Sequence, residues 1–415
     1  MTNEASVPSH RRRRFDARGG DLVQCVPLLL SSGGYGLPLL SSAGTNHAEN
    51  HCSRAVAHSS TRMSRHRRRI GLLRLAILAG WLICCLSVAT SAQDGGSPGP
   101  VVEGPSDHEL TPRWRASVSK SLAWLATRQD ADGSYGSDSH YGKHVGITAL
   151  AGLAFMSDGH TPGRGKYGLM VKRCVDFILA SRSESGLLAS ETSHGPMYGH
   201  GFATLFLAEA YGMAPQPELH EGLRKAIRLI ISTQNDEGGW RYQPIKADAD
   251  ISVTICEIMA LRAARNAGIY VPKSTIDKAV EYVRQSQNPD GGFRYMLNSG
   301  GSAFARSAAG VAALQYAGIY HGSEIGKGLE FLMQFQPPRH QSVGHYFYGH
   351  YYAVQAMHAA GGDRWKTWWP AIRDELLDKQ TAEGYWKGQA GNEYGTAMAL
   401  IILQMPNRLL PIFQK

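Results

Sequence analysis

A short motif recurs along the chain from residue 128 onward, and this repetition limits the available folds more than any other feature. Four copies share a glutamine, a polar turn, a glycine and an aromatic residue. They are RQDADGSYG at 128–136, TQNDEGGWRY at 233–242, SQNPDGGFRY at 286–295 and KQTAEGYWKG at 379–388. Two degenerate copies lie between these four. We call the glutamine position of each copy its anchor, and successive anchors are 53, 52, 53, 49 and 44 residues apart: Gln129, Arg182, Gln234, Gln287, Gln336 and Gln380. Such a period indicates one supersecondary unit that is repeated six times.

Apolar periodicity predicts a pair of helices in each unit. Before Gln234, apolar side chains recur at steps of three and four residues at Leu223, Ile227 and Ile230, which is typical of a helix buried along one face. The segments after the anchors, such as ITALAGLAF and TAMALIILQ, are apolar or small on every side and indicate buried helices. Most of them end near a glycine that suits a left-handed position after a helix. These glycines are Gly159, Gly212, Gly268, Gly318 and Gly361.

Six outer and six inner helices predict an all-α fold, an (α/α)6 toroid of six helical hairpins in a single domain over residues 109–415. An open solenoid is the alternative, because stacked helical hairpins have a similar period. The closed ring is favoured because polar and aromatic residues at the starts of the inner helices would then line one mouth.

The segment from residue 63 to residue 92 predicts a signal peptide. Basic residues follow Met63, an apolar run covers Leu75 to Leu86, and small residues at Thr90 and Ala92 suit a cleavage site. A membrane anchor is the alternative, although the apolar run is shorter than the roughly 20 residues of a spanning helix. Residues 1–62 are then a disordered or wrongly assigned upstream segment, and 93–108 form a Gly/Pro/Ser linker. We therefore expect export to the periplasm or the extracellular space.

Charge and cysteine content argue against two classes of function. The formal net charge is +9, but residues 1–92 contribute +8, so the remainder lacks the basic surface of a nucleic-acid-binding protein. Beyond residue 92 only Cys174 and Cys256 remain, and their spacing is not that of a metal site.

The repeated Gln-x(3,4)-Gly-aromatic motif resembles the QW motifs of squalene and oxidosqualene cyclases and the repeats of protein prenyltransferase β subunits. The resemblance covers about residues 109–406 and implies the terpenoid cyclase/prenyltransferase toroid without fixing one activity. The motif also has a physical role of its own. The glutamine can bond free backbone groups at helix ends, the glycine allows a tight turn, and the aromatic residue packs between hairpins. Trp240, Phe293 and Trp386 are therefore predicted to be structural rather than catalytic.

The same resemblance implies two candidate catalytic acids. In triterpene cyclases an Asp-x-Asp-Asp motif opens an inner helix, and its middle aspartate protonates the polyene. This chain reads Asp248-Ala249-Asp250-Ile251, so Asp250 is the candidate proton donor with Asp248 beside it, and the last acid is missing. The alternative is that Asp250 caps the helix that begins at Ile251. The zinc ligands of the prenyltransferases are not matched, since Ser252 follows Asp250 where they have cysteine, and no metal or other cofactor is expected.

Further polar residues stand at or near the starts of successive inner helices, where a closed ring would bring them to one mouth. They are His144, His200, Asp250, Arg306, His350 and Tyr394. Three histidines and an aspartate could bind a metal or an anionic ligand, or they could only bond helix ends. Together with Phe202, Phe206 and Tyr394, the aromatic run 345–352, which ends at Tyr352, could line a central cavity for an isoprenoid, although aromatic residues also fill cores.

Two functions follow as hypotheses. The first is an exported squalene/terpene cyclase-like protein that acts on or binds an isoprenoid lipid. The second is a non-catalytic envelope module whose rim binds a lipid, a glycan or a peptide. A polysaccharide-active enzyme ranks third, because Asp248 and Asp250 are too close in the chain to straddle a sugar. The expected partner is an apolar or isoprenoid small molecule, with a membrane surface as a further candidate and no nucleic acid; the oligomeric state is not predicted.

Overall fold

The computed structural model describes residues 108–190, 195–338 and 343–414. Residue contacts divide the chain into a unit of residues 1–96 and a second unit of residues 97–415. The upstream segment 1–62, the signal peptide 63–92 and the linker 93–108, except its last residue, lie outside the described residues. They therefore stay predictions.

The described residues of the second unit form twelve α-helices in six consecutive pairs, followed by short 3-10 turns at Met405–Asn407 and Pro411–Phe413. The helices are α1 (Pro112–Ala126), α2 (Val145–Met156), α3 (Gly168–Ala180), α4 (Met197–Met213), α5 (Pro217–Thr233), α6 (Ile251–Asn266), α7 (Lys273–Gln285), α8 (Phe304–Tyr316), α9 (Ser323–Met333), α10 (Tyr346–Ala360), α11 (Gly362–Lys379) and α12 (Asn392–Leu403). None of these helices is long and apolar enough to cross a membrane. The predicted all-α class is confirmed.

The even-numbered helices form an inner ring, and the odd-numbered helices surround it. Each even-numbered helix packs against the next one, and α12 packs against α2. Every residue of α2 is buried, whereas α5 buries one stripe that includes Leu223, Ile227 and Ile230. The difference in apolar pattern between the two segments of each repeat therefore predicts correctly which helix lies inside.

Hydrogen bonds between the two ends of the helical domain close the ring. The Nε2 of Gln380, the last anchor, donates to Ser117 O at 3.0 Å and to Ser121 Oγ at 2.7 Å, both in α1. The indole Nε1 of Trp114 in α1 donates to Leu403 O at the end of α12 at 2.6 Å. The closed toroid is confirmed, and the open solenoid is excluded.

The anchor glutamines tie each motif loop to the following outer helix. Gln234 Nε2 donates to Gly238 O at 2.8 Å within its own turn and to Thr275 O of α7 at 2.9 Å. Gln129 and Gln287 make the same two kinds of bond. These bonds join each motif loop to the start of the following outer helix, and the predicted bonding of the glutamines to backbone groups at helix ends is confirmed.

The aromatic residue of each good motif copy is held by the inner helix that follows it. The backbone N–H of Trp240 donates to Thr254 Oγ1 at 3.1 Å, and its indole Nε1 donates to Ile230 O at 2.8 Å. Trp240 is buried, so its predicted structural role is confirmed. The same bond from an aromatic residue to a hydroxyl one turn into the inner helix joins Tyr135 to Thr148, Phe293 to Ser307 and Trp386 to Thr396.

Four of the five glycines expected after inner helices have a positive φ: Gly159, Gly268, Gly318 and Gly361. The prediction is wrong for Gly212, which lies inside α4. That helix continues to Met213 and is followed by a short connection to Pro217, so it stops without a left-handed glycine.

The C-terminal segment covers the end of the ring at which the inner helices finish. The backbone N–H of Ile412 donates to the buried Glu209 of α4 at 3.3 Å, and Asn407 Nδ2 donates to Ser157 O beyond α2 at 3.0 Å. The opposite end, where the inner helices begin, carries the candidate site.

Candidate functional site

We call the end at which the even-numbered helices begin the mouth of the toroid; it comprises their first turns and the motif loops before them. Each helix start presents free N–H groups and the positive end of a helix dipole. Side chains cap two of these starts. His144 Nδ1 accepts the N–H of Gly146 at the start of α2 at 3.1 Å, and Asp250 caps α6.

Asp250 is fully buried, and its two carboxylate oxygens have different surroundings. Oδ1 accepts the N–H groups of Ser252 and Val253, each at 2.9 Å, which confirms the capping role. Oδ2 has only longer contacts, 3.4 Å from Tyr295 Oη and 3.8 Å from Arg241 Nε. Burial raises the pKa of Asp250 to about 6, although the two backbone N–H groups, Arg241 and Tyr295 all lower it.

Asp248, the other candidate acid, does not share these surroundings. Its carboxylate forms an ion pair with Arg241 Nη1, and its side chain is 46% exposed. The two acids of the motif are therefore connected through Arg241, which pairs with Asp248 and lies beside Oδ2 of the buried Asp250.

Two tyrosines complete the cluster and were not foreseen from the sequence. Tyr295 Oη donates to Asp250 Oδ2 and is hydrogen-bonded to Tyr242 Oη. The Arg241 guanidinium lies 5.1 Å from the ring centre of Tyr242 and 5.8 Å from that of Tyr295. A signal was available, since an Arg-Tyr pair ends both TQNDEGGWRY and SQNPDGGFRY.

Arg306 lies at the mouth as predicted, in the first turn of α8. Its Nη2 donates to Gly301 O at 2.9 Å, and its guanidinium is 6.0 Å from the Tyr295 ring centre. Burial lowers the pKa of Arg306. Arg306 and Arg241 therefore both lie near the ring of Tyr295.

His200 is buried one turn inside α4 rather than on the rim. Its Nδ1 accepts the N–H of Leu188 at 3.1 Å, and its Nε2 lies 3.3 Å from Ala226 O. In this degenerate repeat, His200 accepts the N–H of Leu188 in the way that a Thr or Ser hydroxyl accepts the N–H of the aromatic motif residue in the four good repeats. Burial lowers its pKa to about 4, so the ring is neutral near pH 7.

The other two histidines also have structural contacts: His144 caps α2, and His350 packs against aromatic rings. Burial lowers the pKa of His144 to about 4 and that of His350 to about 3. His350 lies among aromatic rings, 4.5 Å from the ring centre of Tyr346 and 4.9 Å from that of Phe304. Among the described residues, no three His, Cys, Asp or Glu side chains are grouped as metal ligands.

The remaining predicted ligand-binding residues pack against other side chains. Phe202 and Tyr352 are buried, and Tyr352 Oη lies 3.4 Å from Cys256 Sγ. Tyr394 is half-buried and packs its ring at 6.4 Å against Phe347. Whether they contact a ligand stays a prediction.

Two cavities lie at the opposite end from the mouth. One of about 240 Å³ is lined by Trp114 of α1 and Tyr167 beside α3. The other, of about 370 Å³, lies beside α9 and the end of α10 and is lined by Ile325 and Ala360. Neither is lined by a residue predicted to bind substrate.

The described geometry is that of a known family of toroids. Residues 172–350 match the family model of the prenyltransferase alpha-alpha toroid domain. Drimenyl diphosphate synthase of Streptomyces showdoensis is 24% identical over 187 residues, which are 44% of this chain and 33% of that enzyme. Squalene–hopene cyclase of Zymomonas mobilis is 24% identical over 143 residues, which are 32% of this chain and 20% of that enzyme. The chain thus spans a third or less of these relatives.

Solved structures share the fold at low sequence identity. The type II terpene cyclase MstE from Scytonema has a TM-score of 0.51 and 13% identity, over 72% of this chain and 100% of that chain. An α-1,6-mannanase of Salegentibacter sp. HEL1_6, solved with α-1,6-mannotriose, has a TM-score of 0.56 and 7% identity, over 71% of this chain and 99% of that chain. Residues 172–350 are thus similar to the prenyltransferase toroid domain, and parts of the chain are similar to terpenoid cyclases.

Proposed function

We propose that this protein is exported and binds an isoprenoid lipid at the mouth of the toroid, where Asp250 donates a proton to an alkene of the ligand. The observation that carries the proposal is the asymmetry of the Asp250 carboxyl. Oδ1 is fixed by two backbone N–H groups, while the shortest hydrogen bond of Oδ2 within the described residues is 3.4 Å, and Oδ2 is the oxygen on which a transferable proton would sit.

The acid must hold its proton until the alkene arrives. With the pKa of Asp250 raised to about 6, much of the carboxyl is protonated in mildly acidic solution, unlike an exposed aspartate. In the proposed step the O–H bond at Oδ2 breaks, a C–H bond forms, and the alkene becomes a carbocation. Loss of a proton to water then gives a new alkene, and Asp250 is reprotonated from solvent.

Aromatic rings near Asp250 could stabilise the carbocation that this step creates. Tyr198 and Tyr348 pack edge to face with ring centres 6.4 Å apart, and Tyr198 also packs against Tyr242 at 6.0 Å. Tyr348 Oη donates to Ser252 O, so this tyrosine lies beside the helix that Asp250 caps. Ring faces stabilise a passing cation without acting as a base.

The relatives support an isoprenoid as the ligand class. The names of the two bacterial enzymes refer to terpenoid products or substrates, and MstE has been solved with geranylgeranyl dihydroxybenzoate as its substrate. Export is proposed from the signal-peptide pattern of residues 63–92, and it would make a membrane-borne lipid the available substrate.

A second candidate is a non-catalytic envelope module that binds a lipid, a glycan or a peptide at the mouth. It is favoured by the two bonds at Oδ1 of Asp250, because an N-cap is sufficient reason for an aspartate at that position. The α-1,6-mannanase, which shares the fold, was solved with a glycan, and this supports a glycan as the alternative ligand.

Native mass spectrometry of the full-length chain, purified from the envelope of its own host and followed by organic extraction, tests the ligand class. We expect an isoprenoid at a stoichiometric level, and its loss when Arg241 and Tyr295 are both replaced by alanine. Asp277→Asn, which removes an exposed aspartate of α7, is the control. A protein that carries a glycan or a peptide in place of an isoprenoid would favour the binding module.

A further inference from the structure

Arg241 lies between two carboxyl groups and is bonded to only one. Its Nη1 pairs with the half-exposed Asp248, whereas its Nε lies 3.8 Å from Oδ2 of the buried Asp250. That Nε is buried and has no hydrogen-bond partner within the part of the chain that the structure describes. The Arg241 guanidinium could donate to the Asp250 carboxylate, but its Nε lies too far from Oδ2 for a hydrogen bond.

The contacts of Arg241 show what holds it. Asp248 attracts its outer nitrogen, and the rings of Tyr242 and Tyr295 lie along the guanidinium at 5.1 and 5.8 Å. Without Asp248, a small rotation of the side chain would let the guanidinium donate to Asp250 Oδ2. A close arginine stabilises a buried carboxylate strongly and favours loss of its proton.

We propose that Asp248 is a positioning residue, which holds the Arg241 guanidinium off Asp250 Oδ2 and thereby leaves the buried carboxyl able to carry a proton. The first acid of the motif would thus act through an arginine on the second. This inference deepens the proposed proton donation, on which its use in catalysis rests.

Other ionisable groups near Asp250 also affect its pKa, and the variants leave them unchanged. They come from each element packed around it: Tyr198 of α4, Cys256 of α6, Tyr282 of α7, Tyr295 of the loop after α7, Arg306 of α8 and Tyr348 of α10. The variants that test the inference change only Arg241 and Asp248, and none of these groups.

The test is a carbon-13 NMR titration of aspartate carboxyls in the full-length chain, with the Asp250 signal assigned from Asp250→Asn. Asp248→Asn is expected to lower the pKa of Asp250 by about one unit or more, because Arg241 then bonds it. Asp248→Glu, which retains the charge, is expected to leave the titration near that of the unchanged protein. Asp277→Asn is the matched control for an exposed aspartate.

The Arg241→Gln background separates positioning from a direct charge effect. In that background, Asp248→Asn is expected to move the Asp250 pKa by less than half as much as it does when Arg241 is present. An equal shift in both backgrounds, or no shift in either, would overturn the inference. The titration needs no substrate, so its result is independent of whether proton donation itself is found.

Discussion

Replacement of the anchor Gln234 tests how the repeats hold the ring together. Gln234 is 8% exposed, and its Nε2 donates to Gly238 O at 2.8 Å and to Thr275 O at 2.9 Å. Gln234→Ala removes both bonds and leaves two carbonyl groups near the junction of a motif loop with α7. Gln234→Glu keeps the shape and places a carboxylate against the same carbonyls.

The magnitude follows from these contacts. Each lost hydrogen bond contributes about 1 kcal/mol net, so Gln234→Ala should lower the free energy of unfolding by about 2 kcal/mol. Gln234→Glu should cost more at neutral pH, because an ionised carboxylate cannot donate to a carbonyl and is repelled by it. Its extra cost should shrink as the pH is lowered and the glutamate takes up a proton, which it can then donate to one carbonyl.

Urea unfolding of the full-length chain, followed by circular dichroism, measures these differences. The matched control is Gln285→Ala, because Gln285 lies on the exposed face of α7 and donates only to Glu281 of its own helix. We expect the control to change stability by less than about 0.5 kcal/mol. If Gln234→Ala behaved like the control, the glutamines would not carry the role assigned to them.

Three further results are expected from the mouth and the motif. At acidic pH, Asp250→Ala should lower the free energy of unfolding by about 1 kcal/mol through loss of the N-cap, while Asp250→Asn should nearly preserve it; equal losses in thermal unfolding would exclude the cap. Because the folded pKa of Asp250, about 6, lies above 3.8, this group's stabilisation is complete below pH 3.8 and is lost as the pH rises through 6. The free energy of unfolding of Asp250→Asn should therefore rise relative to that of the unchanged protein by about 2 kcal/mol between pH 4 and pH 7.5, and urea midpoints that stay parallel over that range would contradict the shift. Thr254→Ala should cost about 1 to 3 kcal/mol in urea unfolding, because it leaves the buried N–H of Trp240 without its acceptor, and Thr254→Ser should restore most of that loss.

Much of the fold could be predicted because its information is local. The apolar pattern distinguished inner from outer helices, and the spacing of the anchors predicted six helical hairpins. Ring closure depends on contacts across the sequence, such as Gln380 with Ser117. It was predicted because a closed ring would bring the polar and aromatic residues at the inner-helix starts to one mouth. The hydroxyl that holds each aromatic residue was missed, since a single Thr or Ser in an apolar helix has no distinctive spacing.

The site was less predictable, because its parts come together only in three dimensions. Asp250 was found through the resemblance of residues 248–251 to the Asp-x-Asp-Asp motif of triterpene cyclases, whereas its capping role followed from local rules. The contact of Tyr295 with Asp250 spans 45 residues and joins two motif loops, which no local pattern specifies. His200 was placed on the rim because its substitution for a hydroxyl inside the ring is visible only once the repeats are superposed.

Proton transfer in deuterium oxide tests the central claim most directly. The full-length chain would be incubated with squalene and with farnesyl diphosphate at a pH-meter reading of 5.5, and the products, which keep the diphosphate in the second case, would be examined by mass spectrometry for carbon-bound deuterium. We expect a cyclic or isomerised product with one added deuterium, its loss in Asp250→Asn, and its retention in Asp277→Asn. Deuterium incorporation that survives in folded Asp250→Asn would contradict the assignment of Asp250 as the proton donor.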